Sequence, residues 1–286
     1  MRDHDDVADA KAESAGGWTE NRPTAGRRAV RLDELFAYRE LIWFLALRDV
    51  KVRYKQAVFG GAWAIVQPLA GAAIFTVVFG GLADLPSDGI PYLLFAFAGF
   101  SLWSYFSAAL NVARGSLLSN ESLITKVYFP RLVAPLAAVL PGLIDLGVAL
   151  VVLVIMMVGY GTFSGAAVLT APLFLLWTVV VAFGTGTLLA AVTVQYRDVQ
   201  QVFGFVTQLW LYATPVAYAS SLVEGPWRWL YAVNPMVGPL DGWRWSLLGG
   251  PAPGPEAIVS AASSITLLVA GLAVFQRAER RFADVI

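Results

Sequence analysis

Long apolar runs joined by short loops constrain this chain more than any other feature. Six stretches, at 62–82, 91–113, 132–158, 171–194, 200–219 and 256–275, are almost free of charge. About 20 apolar residues in a helix cross the roughly 30 Å hydrocarbon core of a bilayer. Inside lipid every backbone polar group needs a partner within the protein, which such runs obtain as helices. Composition agrees, with 58% hydrophobic and 14% charged residues, where soluble domains carry about a quarter charged. The chain reads as an all-α integral membrane protein of six transmembrane helices.

The basic residues orient it. Eighteen of the twenty Lys and Arg lie in the first 55 residues, the loops 114–131 and 195–199, and the C-terminal tail. The loops 83–90, 159–170 and 220–255 hold two, Arg228 and Arg244. Basic loops stay on the cytoplasmic side, so both termini are expected there. Residues 1–30 mix charge with Gly, Ala and Pro, without periodicity, and read as a disordered cytoplasmic tail before one transmembrane domain, 31–286. They lack the pattern of a cleaved signal peptide.

An amphipathic interfacial helix is expected over 33–57. Its distal half places Arg48, Lys51 and Lys55 on one face, with Arg53 four residues after Asp49 in the acid-first order that favours a helical pair. Two readings fit: a basic anchor on anionic lipid, and a surface for a cytoplasmic partner. The loop 114–131 holds a short helix around 120–128, with Asn120 near its cap and Glu121, Lys126 and Tyr128 along it. Gln195–Val199, with Arg197 and Asp198, is a smaller turn on the same side. Between spans five and six, two aromatic pieces, one with Trp227 and Trp229 and one with Trp243 and Arg244, flank a break at Asn234-Pro235. That Trp density suits a membrane interface. In span four, Gly184 and Gly186 suit close helix packing.

Several functions are excluded or made improbable. There is no cysteine, and the single histidine, His4, lies in the tail, so no metal site is expected. No Gly-Lys pair occurs anywhere, which rules out a P-loop. Asp145 is the one clear ionisable residue within a span, and ion-coupled carriers usually need relays of such groups. It has a packing reading, as a protonated or internally paired side chain, and a functional one, as a polar latch or conduit residue. A membrane transferase would want several acids or a His–Asp pair near the interface. The outer loops offer only Asp84, Asp88, Glu224, Asp241 and Glu256.

Four blocks carry a resemblance: LIWFLALRDVKVRYKQAVFGGAWAIVQPL at 41–69, SNESLITKVYFPRLVAPLA at 119–137, VQYRDVQQV at 194–202 and NPMVGPLDGWRWSLLGG at 234–250. Together they resemble the ABC-2 type permeases that export polysaccharide, O-antigen and teichoic acid. The resemblance spans about 34–281 and implies a bacterial inner-membrane permease that dimerises. It also implies two copies of a separate ATP-binding subunit, which alone holds ATP and Mg, so this chain is neither an enzyme nor a cofactor binder. The substrate implied is a glycan or polyol-phosphate polymer on a lipid carrier. Membrane lipid is the remaining partner expected, and nucleic acid is not.

On that footing, 33–57 is the gate helix, 120–128 the main coupling helix, 195–199 a second contact, and the two pieces in 220–255 short re-entrant external helices. Sugars stack their C–H faces on aromatic rings, so Trp63 and Phe75 in span one, and Trp210, Tyr212 and Tyr218 in span five, are candidates for the transport path. Those spans form the dimer interface in the family. The alternative is an ABC-2 permease for a small drug or lipid.

Overall fold

The computed structural model describes residues 32–55, 60–196 and 198–285. The expected tail, the end of the 33–57 helix and Arg197 lie outside the described residues. The interfacial segment is two helices, α1 (Leu32–Ala37) and α2 (Arg39–Lys55). It bends at Tyr38, whose N–H still reaches the Glu34 carbonyl at 3.1 Å.

Span one is α3 (Trp63–Phe75), widening into a π-helix over Thr76–Leu82. Pro68 lies inside α3 without an N–H to donate. Span two, α4 (Tyr92–Ser119), is the central column. It is the most buried of the apolar helices and packs on spans one, three and four. It runs six residues past the expected boundary at 113 and ends at Asn120, where α5 (Glu121–Lys126) begins.

Span three is broken. α6 (Val133–Val139) packs against α2, and α7 (Gly142–Tyr160) follows Pro141. Leu45 of α2 shares a small core with Phe129, Val133 and Ala137, against which Leu123 and Ile124 of α5 also rest. Together α6 and α7 make one apolar segment, Val133–Tyr160, long enough to cross the bilayer, as expected for 132–158.

Span four, α8 (Ala171–Gln195), and the last helix, α12 (Ala257–Val285), form the closest pair. A Cβ on Gly184 would stand 2.7 Å from the Leu268 Cα, and one on Gly271 would overlap the Gly184 carbonyl. One on Gly186 would stand 2.6 Å from the Ala113 Cβ. The expected close-packing role of Gly184 and Gly186 is what the structure shows. Small residues let backbones approach where lipid supplies no hydrophobic drive.

Five of the described helical segments are long and apolar enough to cross a membrane. The expected span 200–219 is helical only over α9 (Val199–Ala213), which rises about 22 Å. Pro215 disfavours helix in the residue before it, and Thr214 is accordingly extended, with ψ 144°. Two short helices follow, α10 (Trp227–Tyr231) and α11 (Val237–Leu248). α11 packs on α4, α8 and α12.

Candidate functional site

The basic ends of the helices gather on one face of the molecule. Arg131 donates to the backbone carbonyl of Glu279 near the end of α12, and the Arg114 guanidinium lies 4.7 Å from the Phe203 ring centroid. These contacts set the residue before α6 against the end of α12, and the last turns of α4 against the start of α9.

On this face α2 is tied to its surroundings at two points. Nη1 of Arg48 donates to Oδ1 of Asn120 at 2.8 Å, while its Nε and Nη2 bind Asp49. Asn120 is buried, and its amide donates to the Ser116 carbonyl at 2.7 Å. Asn120 stands at the N-cap position of α5 as expected, but its side chain makes no cap bond and instead rivets α2 to the α4–α5 junction. At the far end of α2, Arg53 donates to Asp145 Oδ2 at 2.5 Å and the Tyr54 hydroxyl donates to Oδ1. Burial, reinforced by that bond to Asp145, pushes the Tyr54 phenol up to about 12, so it stays a donor at neutral pH.

One sequence expectation is thereby revised, and Asp145 takes the paired form that one of its two readings expected. The Asp49–Arg53 pair gives way to Arg48–Asp49 and Arg53–Asp145. Asp145, in the first turn of α7, is internally paired through Arg53 and Tyr54.

The remaining residues expected to meet a partner point outward. Lys51, Lys55, Glu121, Lys126, Tyr128 and Asp198 are exposed, whereas Arg48, Arg53 and Asn120 are turned into the protein. α5 thus presents a polar side to solvent and rests Leu123 and Ile124 on the α2–α6 core. α5 is packed on α2, and α2 is tied to α7 through Arg53 and Tyr54.

The aromatic candidates separate into two kinds. Phe75 is buried in edge contacts with Phe79 and Phe100, each at 5.5 Å. Trp210 packs against Trp103 and Phe106 and donates its indole N–H to Asn234 Oδ1 at 2.9 Å. Trp63 and Tyr212 are exposed, at 56% and 53%. Tyr218 bonds to the Tyr212 carbonyl and to the Tyr231 hydroxyl, both at 3.0 Å. Trp63 rims a cleft of about 450 Å³ between α2, α3, α4 and α7, walled also by Arg53, Gln67, Ser104, Asn111 and Asp145.

At the opposite face, Asn234 and Arg244 act as two polar hubs. Besides Trp210, Asn234 Oδ1 accepts from the Met236 N–H, and its amide donates to the Ala213 carbonyl and the Thr214 hydroxyl, both at 3.0 Å. Pro235, next in the chain, accepts from Ser264 at 3.4 Å. Arg244 is 4% exposed. It donates to the carbonyls of Phe95, Pro215 and Val216, with its guanidinium 3.5 Å from the Phe95 ring centroid. It satisfies the backbone that Pro215 leaves unpaired, which sequence reasoning missed; a lone Arg in the Trp-rich, otherwise apolar 243–248 was the available signal. Trp243 is buried beside it, while Trp227 and Trp229 are exposed. Asp241 sits one turn before Arg244, and burial raises its carboxyl to about 6 against the opposing pull of Ser220 and Arg244.

Residues 40–248 match the family described as ABC-2 type transporter. The chain is 27% identical over 248 residues to the O-antigen export system permease protein RfbA of Klebsiella pneumoniae, covering 86% of this chain and 95% of that protein. It is 27% identical over 256 residues to the O-antigen export system permease protein RfbA of Myxococcus xanthus, covering 88% and 98%. With this match across most of its length and its apolar crossing helices, the chain is a multi-pass membrane protein that belongs to the ABC-2 type transporter family.

Proposed function

We propose that this chain is the permease subunit of an ATP-driven exporter that moves lipid-linked polysaccharide across the bacterial cytoplasmic membrane. The observation that carries the reading is the similarity to O-antigen export permeases over nearly the whole of both chains. A separate ATPase supplies the energy and docks on the basic face, with Lys51, Glu121, Lys126, Tyr128 and the turn at Arg197-Asp198 as its contacts. In this reading α9 is a short sixth span, both termini are cytoplasmic, and α10 and α11 are re-entrant from the outside. The relatives do not favour a small drug or lipid as the cargo.

The working unit is two copies of the chain. α3 and α9 are little buried within one copy, and α9 has no buried residue at all. Gln201, Gly204, Gln208 and Tyr212 recur along α9 and are all exposed. Amide side chains facing lipid are costly, so this row faces a polar space. With Trp63 it would line a path between the two copies, along which sugars slide over rings without being held. ATP binding in the partner would push α5, shift α2 through Asn120–Arg48 and the Leu45 core, and part the two copies at α3 and α9.

The test is co-expression with the ATPase encoded nearest to this chain, then purification in nanodiscs. The proposal expects the pair to co-purify and hydrolyse ATP, with Glu121→Lys uncoupling hydrolysis from this subunit while the chain still folds. Failure to hold any ATPase under mild conditions would remove the basis of the reading.

A further inference from the structure

The cleft between α2, α3, α4 and α7 has a chemistry that the path between copies does not explain. It lies within one copy and is walled by both charged and amide side chains. Its two charges cancel, because Arg53 and Asp145 are paired at 2.5 Å. Of its other polar groups, Tyr54, Ser101, Tyr105 and Ser107 are already bonded within the protein, but some are not. Among the described residues neither the Gln67 amide nor the Ser104 hydroxyl makes a hydrogen bond. Asn111 uses only Oδ1, which accepts from Arg114, so its amide N–H groups remain to donate. Arg53 engages Asp145 through Nη1 alone. Gln67 is one turn into a membrane-crossing helix and exposed, and an amide left facing lipid there is unfavourable. At the rim stands the exposed Trp63.

Charge balance argues against an anion as the ligand, since a phosphate reaching Arg53 would face the Asp145 carboxylate. The wall of amides and hydroxyls, donors and acceptors mixed, beside an indole face suits an uncharged polyhydroxyl ring. We infer that this cleft is a glycosyl subsite that holds one or two neutral sugar units at the basic end of span one. Gln67, Ser104 and Asn111 would bond the hydroxyls, and Trp63 would stack on the ring. The inference rests on the export reading, in which such a site meets sugars before they enter the path between copies. The Arg53–Asp145 pair would make arrival of a sugar felt by α2.

The test uses the full chain in nanodiscs and saturation-transfer NMR with galactose, N-acetylglucosamine, mannose and lactose, and inorganic pyrophosphate observed by phosphorus NMR. The inference expects binding of at least one uncharged sugar. Binding should weaken by roughly three- to tenfold in Gln67→Leu and in Ser104→Ala, the effect of one lost hydrogen bond, and remain unchanged in Val154→Leu, on an exposed position of α7. Gln67→Leu suits a membrane helix, so loss of binding there is not loss of fold. Pyrophosphate binding without sugar binding, no binding of any sugar, or sugar binding indifferent to both cleft variants would each overturn the inference. Surface glycan measured in cells carrying Gln67→Leu separates the two readings: glycan export that depends on the chain, with no sugar in the cleft, sinks the subsite and leaves the exporter standing.

Discussion

The pair between Arg53 and Asp145 fastens the end of α2 to a membrane-crossing helix, and its energy can be estimated. Its side chains are 32% and 26% exposed. Fully exposed pairs contribute about 0.2–1 kcal/mol, while removing one partner of a fully buried pair costs about 3–5 kcal/mol. This pair falls between, so Arg53→Met should cost about 2 kcal/mol, leaving the carboxylate with Tyr54 alone. Asp145→Leu should cost a similar amount by stranding the guanidinium. The double variant replaces an ion pair with apolar contact and should cost less than either single. The assay is a double-mutant cycle on SDS-driven unfolding in mixed micelles, with hydrogen exchange of the α2 peptides read in parallel. A 2 kcal/mol loss corresponds to roughly 30-fold faster opening of α2 in each single variant. Additivity within about 0.5 kcal/mol, with unchanged exchange in 39–55, would refute the fastening role.

Other outcomes follow from the two hubs and the exposed helix. Arg244→Leu leaves three carbonyls without their donor, and about 3–5 kcal/mol of stability should be lost in thermal unfolding; Gly99→Ala, whose Cβ would overlap the Arg244 guanidinium, should destabilise in the same assay. Asn234→Ala removes the bonds to Trp210, Ala213 and Thr214, and proteolysis should become faster within 199–219. Asp241 has its folded carboxyl raised from the ordinary 3.8 to about 6. The folded state therefore binds the proton more tightly, and this group's contribution to stability improves as pH falls from 7 towards 4. Asp241→Asn should remove that part of the pH dependence, measured as the difference in Tm between pH 7.5 and 5. The chain has no cysteine, so Gln208→Cys gives a unique thiol on α9. Oxidation should yield a covalent dimer in membranes, and Val154→Cys should not.

The sequence made most of the helices readable because lipid leaves so few options: apolar runs of the right length, divided by loops whose charge alternates, have one economical fold. The short helix ending at Lys126 and the pieces around Asn234-Pro235 were legible through cap position, prolines and composition. What was hidden depended on distant partners. Arg53 fits Asp49 by spacing yet binds Asp145, 92 residues away, while Asp49 is taken by its neighbour Arg48. Periodicity assigned five aromatics to a path without distinguishing them. Burial withdraws Phe75 from the surface and ties Trp210 to Asn234, while Trp63 and Tyr212 stay exposed. The buried Arg244 was read as a loop charge, since nothing local in WRW reveals that Pro215 has left carbonyls to be paired.

The central claim, export of a lipid-linked polysaccharide through this subunit, is tested most directly by locating that glycan. The chain would be depleted in the bacterium that encodes it, newly made glycan pulse-labelled, and its exposure probed with an impermeant periodate reagent on intact spheroplasts. Export through this chain predicts that labelled lipid-linked glycan accumulates in a protected pool and becomes reactive again when the chain is restored. Labelled glycan that stays accessible at the normal rate after depletion would contradict it.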